Sequence, residues 1–82
     1  MKSIFEIKDG DAIEPEYSIP GTELTLRVVE CFPSSRMEVY RRGALDVALT
    51  DGLRRFDGHS RNADTMNKVG SWLQQQAGHR VA

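Results

Sequence analysis

The spacing of the apolar residues changes once along this chain, and that change constrains the fold more than any other feature. Over residues 23–50 apolar side chains return at every second position, the repeat of a strand with one covered face. From about residue 62 they return every third or fourth position instead. Met66, Val69, Gly70, Leu73 and Ala77 form one stripe there, with Asn67, Lys68, Ser71 and Gln74 largely opposite. Strands followed by one amphipathic helix make an economical pair of layers, because each covers the apolar side of the other.

The spacing predicts strands over 3–8, 23–32, 36–41 and 45–50 and a helix over 62–77. In the first strand Phe5 and Ile7 share one side; in the second Leu24, Leu26 and Val28 do. Met37 and Val39 point inward from the third, with Glu38 and Tyr40 outward, and Leu45, Val47 and Leu49 point inward from the fourth. Asp9-Gly10, Asp51-Gly52 and Asp57-Gly58 break the chain, and Arg42-Gly43-Ala44 is short enough for a tight hairpin. Pro15 and Pro20 restrict 12–19 to an edge strand or a loop, which Ile13, Tyr17 and Ile19 pin to the core. Residues 53–56 fit a short strand or a single helical turn. Ser60 or Asn62 caps the helix, and Gly78 suits a left-handed residue at its end. The expected class is α+β: a small antiparallel β-sheet of three to five strands, rich in hairpins, with one C-terminal α-helix packed on one face.

At 82 residues the chain has room for a single domain, 1–82. A domain of that size buries only about 60–65% of the surface of its unfolded chain, so its large apolar residues are committed to the core. Few remain to line a deep pocket.

Catalytic constellations are thin. His59 and His79 stand twenty residues apart with no cysteine beside them, which is not zinc-site spacing. Cys31, the one cysteine, reads as strand packing rather than a nucleophile, and it cannot form an internal disulfide. The acidic stretch Asp9, Asp11, Glu14, Glu16 resembles a calcium loop only superficially, because Ile13 and Glu14 stand where that loop needs an oxygen ligand and glycine. Gly43, Gly52 and Gly58 are separate turn residues and not a phosphate loop. The expectation is a protein that is not an enzyme and needs no metal or cofactor. No stretch is apolar for the ~18 residues of a membrane span, and Met1-Lys2-Ser3 opens no secretory leader, so a cytoplasmic site is expected.

Charge is unevenly distributed along the chain. Residues 1–33 hold three bases and seven acids, net −4; residues 34–82 hold eight bases and five acids, net +3. Seven of those eight bases are arginine, whose planar multi-donor group pairs with carboxylate or phosphate. The simplest account is that the two parts neutralise each other within one fold or between two copies. The sharper account is a surface for partners. Tyr40, Arg41 and Arg42 at the hairpin tip, Arg54 and Arg55, Arg61 ahead of the helix and Trp72 on its border are the candidate partner-binding residues. Asp9, Asp11, Glu14 and Glu16 form a candidate acidic surface. Hairpin arginines also serve simply to solubilise a turn and blunt an edge.

Two classes of partner follow. The first is a protein partner, with a homodimer included. In size and build the chain is comparable to small phage or bacterial accessory factors, among them inhibitors that cap a host protein or nucleoprotein complex such as a CRISPR effector. The second is nucleic acid, held by the Arg/Tyr hairpin and the helix start. Three strands followed by a helix resemble the layout of double-stranded-RNA-binding domains. Those domains also carry an early helix and a lysine-rich helix start, where this chain offers only Arg61 and Lys68. A pI near 6.1 weighs against the second class, since nucleic-acid-binding domains typically lie above about 9.

Overall fold

The longest ladder in the computed structural model joins β3 (Leu24–Cys31) to β4 (Ser34–Arg41), eight residues on each side, from Leu24 opposite Arg41 to Cys31 opposite Ser34. The structure describes residues 1–31 and 34–79. Three short strands extend this pair. On one side β2 (Glu16–Ser18) lies antiparallel to β3, and β1 (Lys2–Ser3) lies parallel to β2. On the other, β5 (Ala44–Leu45) returns from a two-residue turn. The order is β1-β2-β3-β4-β5, and the parallel first pair makes the sheet mixed rather than purely antiparallel.

One helix layer covers one face. The long helix α2 (Ala63–His79) lays Met66, Val69 and Leu73 on Leu24, Leu26, Val28, Met37 and Val39, with Tyr17 and Ile19 closing the side. Asn62 caps it, its Oδ1 accepting from the Thr65 amide at 3.0 Å, while Ser60 is buried and bonded to Ser35 (Oγ to Oγ 2.6 Å). Gly78 stays inside the helix instead of ending it, and Gly58, not Gly78, takes a positive φ. No described helix is long and apolar enough to cross a membrane.

Two predicted strands are different elements. Of 3–8 only Ser3 pairs, as the end of β1; residues Ile4–Glu6 then form a 3₁₀ turn, because Ser3 and Glu6 make a reciprocal capping box. Ser3 Oγ accepts from the Phe5 amide at 3.1 Å and Glu6 Oε2 from the Ser3 amide at 3.2 Å. Of 45–50 only Leu45 is strand. Asp46 caps a short helix, α1 (Val47–Gly52), with its Oδ1 accepting from the Leu49 amide at 3.0 Å. Leu49 is buried as expected, but Leu45 and Val47 are 46% and 62% exposed. Residues 53–56 resolve as a 3₁₀ turn, Arg54–Phe56, and 12–19 contains an inner strand, since β1 lies outside β2. The Phe32 end of the second predicted strand lies outside the described residues.

The segment after β5 closes the edge of β4. The Asp46 amide donates to the Val39 carbonyl at 2.8 Å, Thr50 Oγ1 accepts from the Val39 amide at 2.9 Å, and the Gly58 amide donates to the Ser35 carbonyl at 3.0 Å. These groups stand in for a sixth strand.

Candidate interaction surface

The hairpin between β4 and β5 turns on Arg42 and Gly43, both at positive φ (51° and 80°). That pair of angles is a type I′ turn, whose twist matches the strands it joins. The turn aims Arg42 outward, 76% exposed, where it pairs with Glu23 at the start of β3. The hydrogen bond from Arg42 holds the Glu23 carboxyl below its ordinary range and raises the guanidinium in turn. Arg41 belongs to the covered face and is only 26% exposed, 3.7 Å from Asp46 and 3.9 Å from Glu23. Its Nε and Nη2 are buried without a hydrogen-bond acceptor.

The other face of the sheet has no helix over it. Directly opposed residues share a face, so Glu16, Arg27 and Glu38 form one cross-strand row, with Ser18, Thr25, Tyr40 and Leu45 beside it. Arg27 donates to Glu16 Oε1 at 3.0 Å, to the Tyr40 hydroxyl at 3.3 Å, and lies 4.3 Å above the Tyr40 ring. Tyr40 donates to Glu38 Oε1 at 3.1 Å. The hydrogen bond to Glu16 keeps the Arg27 guanidinium firmly charged. This network holds Tyr40 in one orientation. A groove of about 310 Å³ lined by Met1, Lys2, Glu14, Pro15, Glu16 and Arg27 borders the same face.

No family model matches this chain, and neither does any curated protein or solved structure.

The other candidate arginines, Arg54, Arg55 and Arg61, make their contacts away from the hairpin. Arg61 faces Glu30 at 3.8 Å, and seven residues separate Glu30 from Glu23, about 23 Å along a strand. Arg54 pairs with Asp51 at 3.0 Å, and Arg55 lies over Phe56 (4.8 Å) and Trp72 (5.6 Å). Trp72 is half-buried, packed on the core with its ring edge against Gly52. Of the acidic residues, Asp9 Oδ1 accepts from the Ala63 amide at 3.4 Å, where α2 begins. Asp11 Oδ2 accepts from the Lys8 amide at 3.0 Å and Lys2 Nζ at 3.1 Å, which depresses its pKa. Glu14 is exposed, its amide bonded to the Tyr17 hydroxyl at 2.8 Å, and Glu16 serves Arg27.

Sequence reasoning missed Arg27 and Glu38. Alternation along one strand already sets Glu38 beside Tyr40, but Arg27 joins them only through the strand register, which is not legible before the pairing is known. Among the described residues no group of three or more His, Cys, Asp or Glu side chains is arranged to hold a metal ion.

Proposed function

We propose that this protein is a non-enzymatic protein-binding module whose contact surface is the uncovered face of the sheet. The observation that supports the reading is Tyr40, fixed on that face by Arg27 and Glu38, with Leu45 beside it and the Arg41-Arg42 hairpin at the rim. Tyrosine and arginine recur as binding hot spots, and a side chain already held in place loses little freedom on docking. The short outer strands and the closed edge of β4 favour contact through the face over strand addition. Size and build fit a small phage or bacterial accessory factor or inhibitor, bound in the cytoplasm to a host protein or nucleoprotein complex. Nucleic acid is the weaker partner: one face of the Tyr40 ring carries Arg27, and the exposed arginines Arg42, Arg54 and Arg61 each face an acid.

The test is affinity capture on immobilised protein, from host lysate with and without nuclease, comparing wild type with Tyr40→Ala. Thermal unfolding of both proteins confirms the fold. The expected result is nuclease-resistant capture of a protein that Tyr40→Ala weakens by about tenfold or more. Undiminished capture by Tyr40→Ala, or capture lost on nuclease treatment, overturns the reading.

A further inference from the structure

The closed edge of β4 passes over one residue. Backbone groups alternate in direction along a strand, so every second residue of β4 faces the segment that follows β5. Val39 meets it through the Asp46 amide and Thr50 Oγ1, and Ser35 through the Gly58 amide. Met37 lies midway between them and faces the same way. Its neighbour in the ladder agrees: the Val28 amide goes to the Pro15 carbonyl at 3.0 Å, so Val28 turns its backbone groups to the β2 side, away from Met37. Met37 is only 3% exposed, and no described residue bonds to its amide or its carbonyl. Buried backbone groups are nearly always paired, because burial removes them from bulk water.

A small cavity lies at the same place. Its volume is about 30 Å³, and it is lined by Arg36, Met37 and Glu38 of β4 and by Thr50, Arg54 and Asp57 of the segment that closes the edge. Thr50 brings a donor, since its Oγ1 accepts from the Val39 amide while its own hydroxyl hydrogen meets no acceptor among the described residues. Asp57, half-buried, brings a carboxylate. Two arginines and two acids leave the wall without net charge. Whatever pairs with Met37 here has to accept from its amide and donate to its carbonyl at once. An anion cannot donate and a metal ion cannot accept. A water molecule does both, and the volume is that of one.

We propose that this cavity is a binding site for one ordered water molecule, held by the backbone of Met37. The water accepts from the Met37 amide and the Thr50 hydroxyl and donates to the Met37 carbonyl and the Asp57 carboxylate, within the two to four bonds that buried water makes. It completes the row of groups along the outer edge of β4, between Thr50 at Val39 and Gly58 at Ser35. An incoming strand then finds the Met37 amide and carbonyl already taken, so the water is part of what keeps this edge closed to strand addition.

Two measurements test this. In solution, the Met37 amide of isotope-labelled protein is expected to show cross-peaks to water of opposite sign in NOE and ROE spectra, the signature of a water that stays far longer than one on the surface. An exchanging hydroxyl proton gives the same signature, so the spectra are repeated on Thr50→Val. The cross-peak is expected to persist there, because the Met37 amide and carbonyl and the Asp57 carboxylate still hold the water. The second measurement is a crystal structure of the wild type that resolves ordered solvent, which decides the matter even where Thr50→Val does not fold. One water within hydrogen-bond distance of both Met37 N and Met37 O is expected. No cross-peak at Met37, a cross-peak lost in folded Thr50→Val, or a crystal structure in which the cavity is dry, holds an ion, or is closed by a protein group bonded to Met37 overturns the proposal.

Discussion

At the scale of single residues, two glycines in the same helix have opposite roles. Gly70 sits where the Ile4–Glu6 turn presses on α2: a Cβ there would stand 2.6 Å from Ile4 Cγ2 and 2.9 Å from the Phe5 ring. Both neighbours are held, Ile4 in the core and Phe5 against it. Gly78, one residue from the helix end, has nothing within 4 Å of the same position. Alanine favours a helix interior over glycine by about 1 kcal/mol, and overpacking a core contact costs about 1–3 kcal/mol. Gly70→Ala is therefore expected to lower the melting temperature despite its better propensity, and Gly78→Ala to leave it unchanged or raise it slightly. Thermal unfolding of the two variants checks both signs. The sequence placed Gly70 on the covered stripe but could not reveal this contact, because the partner is a turn that the strand prediction over 3–8 concealed.

At the scale of elements, the error over 45–50 has a definite cause. Leu45, Leu49 and Leu53 are spaced by four, and four is a multiple of two, so the same leucines satisfy a strand and a helix. Asp46 decides between them by capping the Leu49 amide, a local bond that apolar spacing does not register. Ser3 and Glu6 make the corresponding capping box earlier in the chain. The long elements were legible because many residues agree: eight per strand in β3 and β4, seventeen in α2. The short ones depend on one or two polar side chains. Thr50 shows the consequence, since its Oγ1 accepts from the Val39 amide where a neighbouring strand would supply a carbonyl. Thr50→Val keeps the shape and removes the acceptor. A buried donor left unmade costs about 1–3 kcal/mol, so a loss of that order is expected in chemical denaturation. Amide hydrogen exchange at Val39 is expected to accelerate by more than at Leu26, which pairs with Tyr17 on the other side of β3.

At the scale of the whole molecule, the uneven charge of the sequence becomes local pairing. Glu23 meets Arg41 and Arg42, and Glu30 meets Arg61, so acids from the first part of the chain neutralise bases from the second. The candidate site was accordingly only half legible: Tyr40 and the hairpin arginines could be placed at a turn, but which acid each arginine meets depends on register. The same pairing sets the response to acid. Asp11 is held below the ordinary Asp value of 3.8 by the Lys8 amide first and then by the Lys2 ammonium, and Glu23 below 4.5 mainly by Arg42. In the folded chain both carboxylates bind protons less readily than in the unfolded chain. Their contribution is therefore fully present above these ordinary values and is lost as pH falls through the lower folded values. Both groups are solvent-facing, so the effect is modest and shrinks as salt rises. Asp11 also ties β1 to the loop after it, through Lys2 Nζ and the Lys8 amide. Asp11→Asn is expected to melt below wild type at neutral pH, with the gap closing as pH falls below the ordinary Asp value and through the lower folded one. Melting temperatures across that range, at low and high salt, check the sign. A gap that stays constant with pH would assign Asp11 a role in shape alone, with no contribution from its charge.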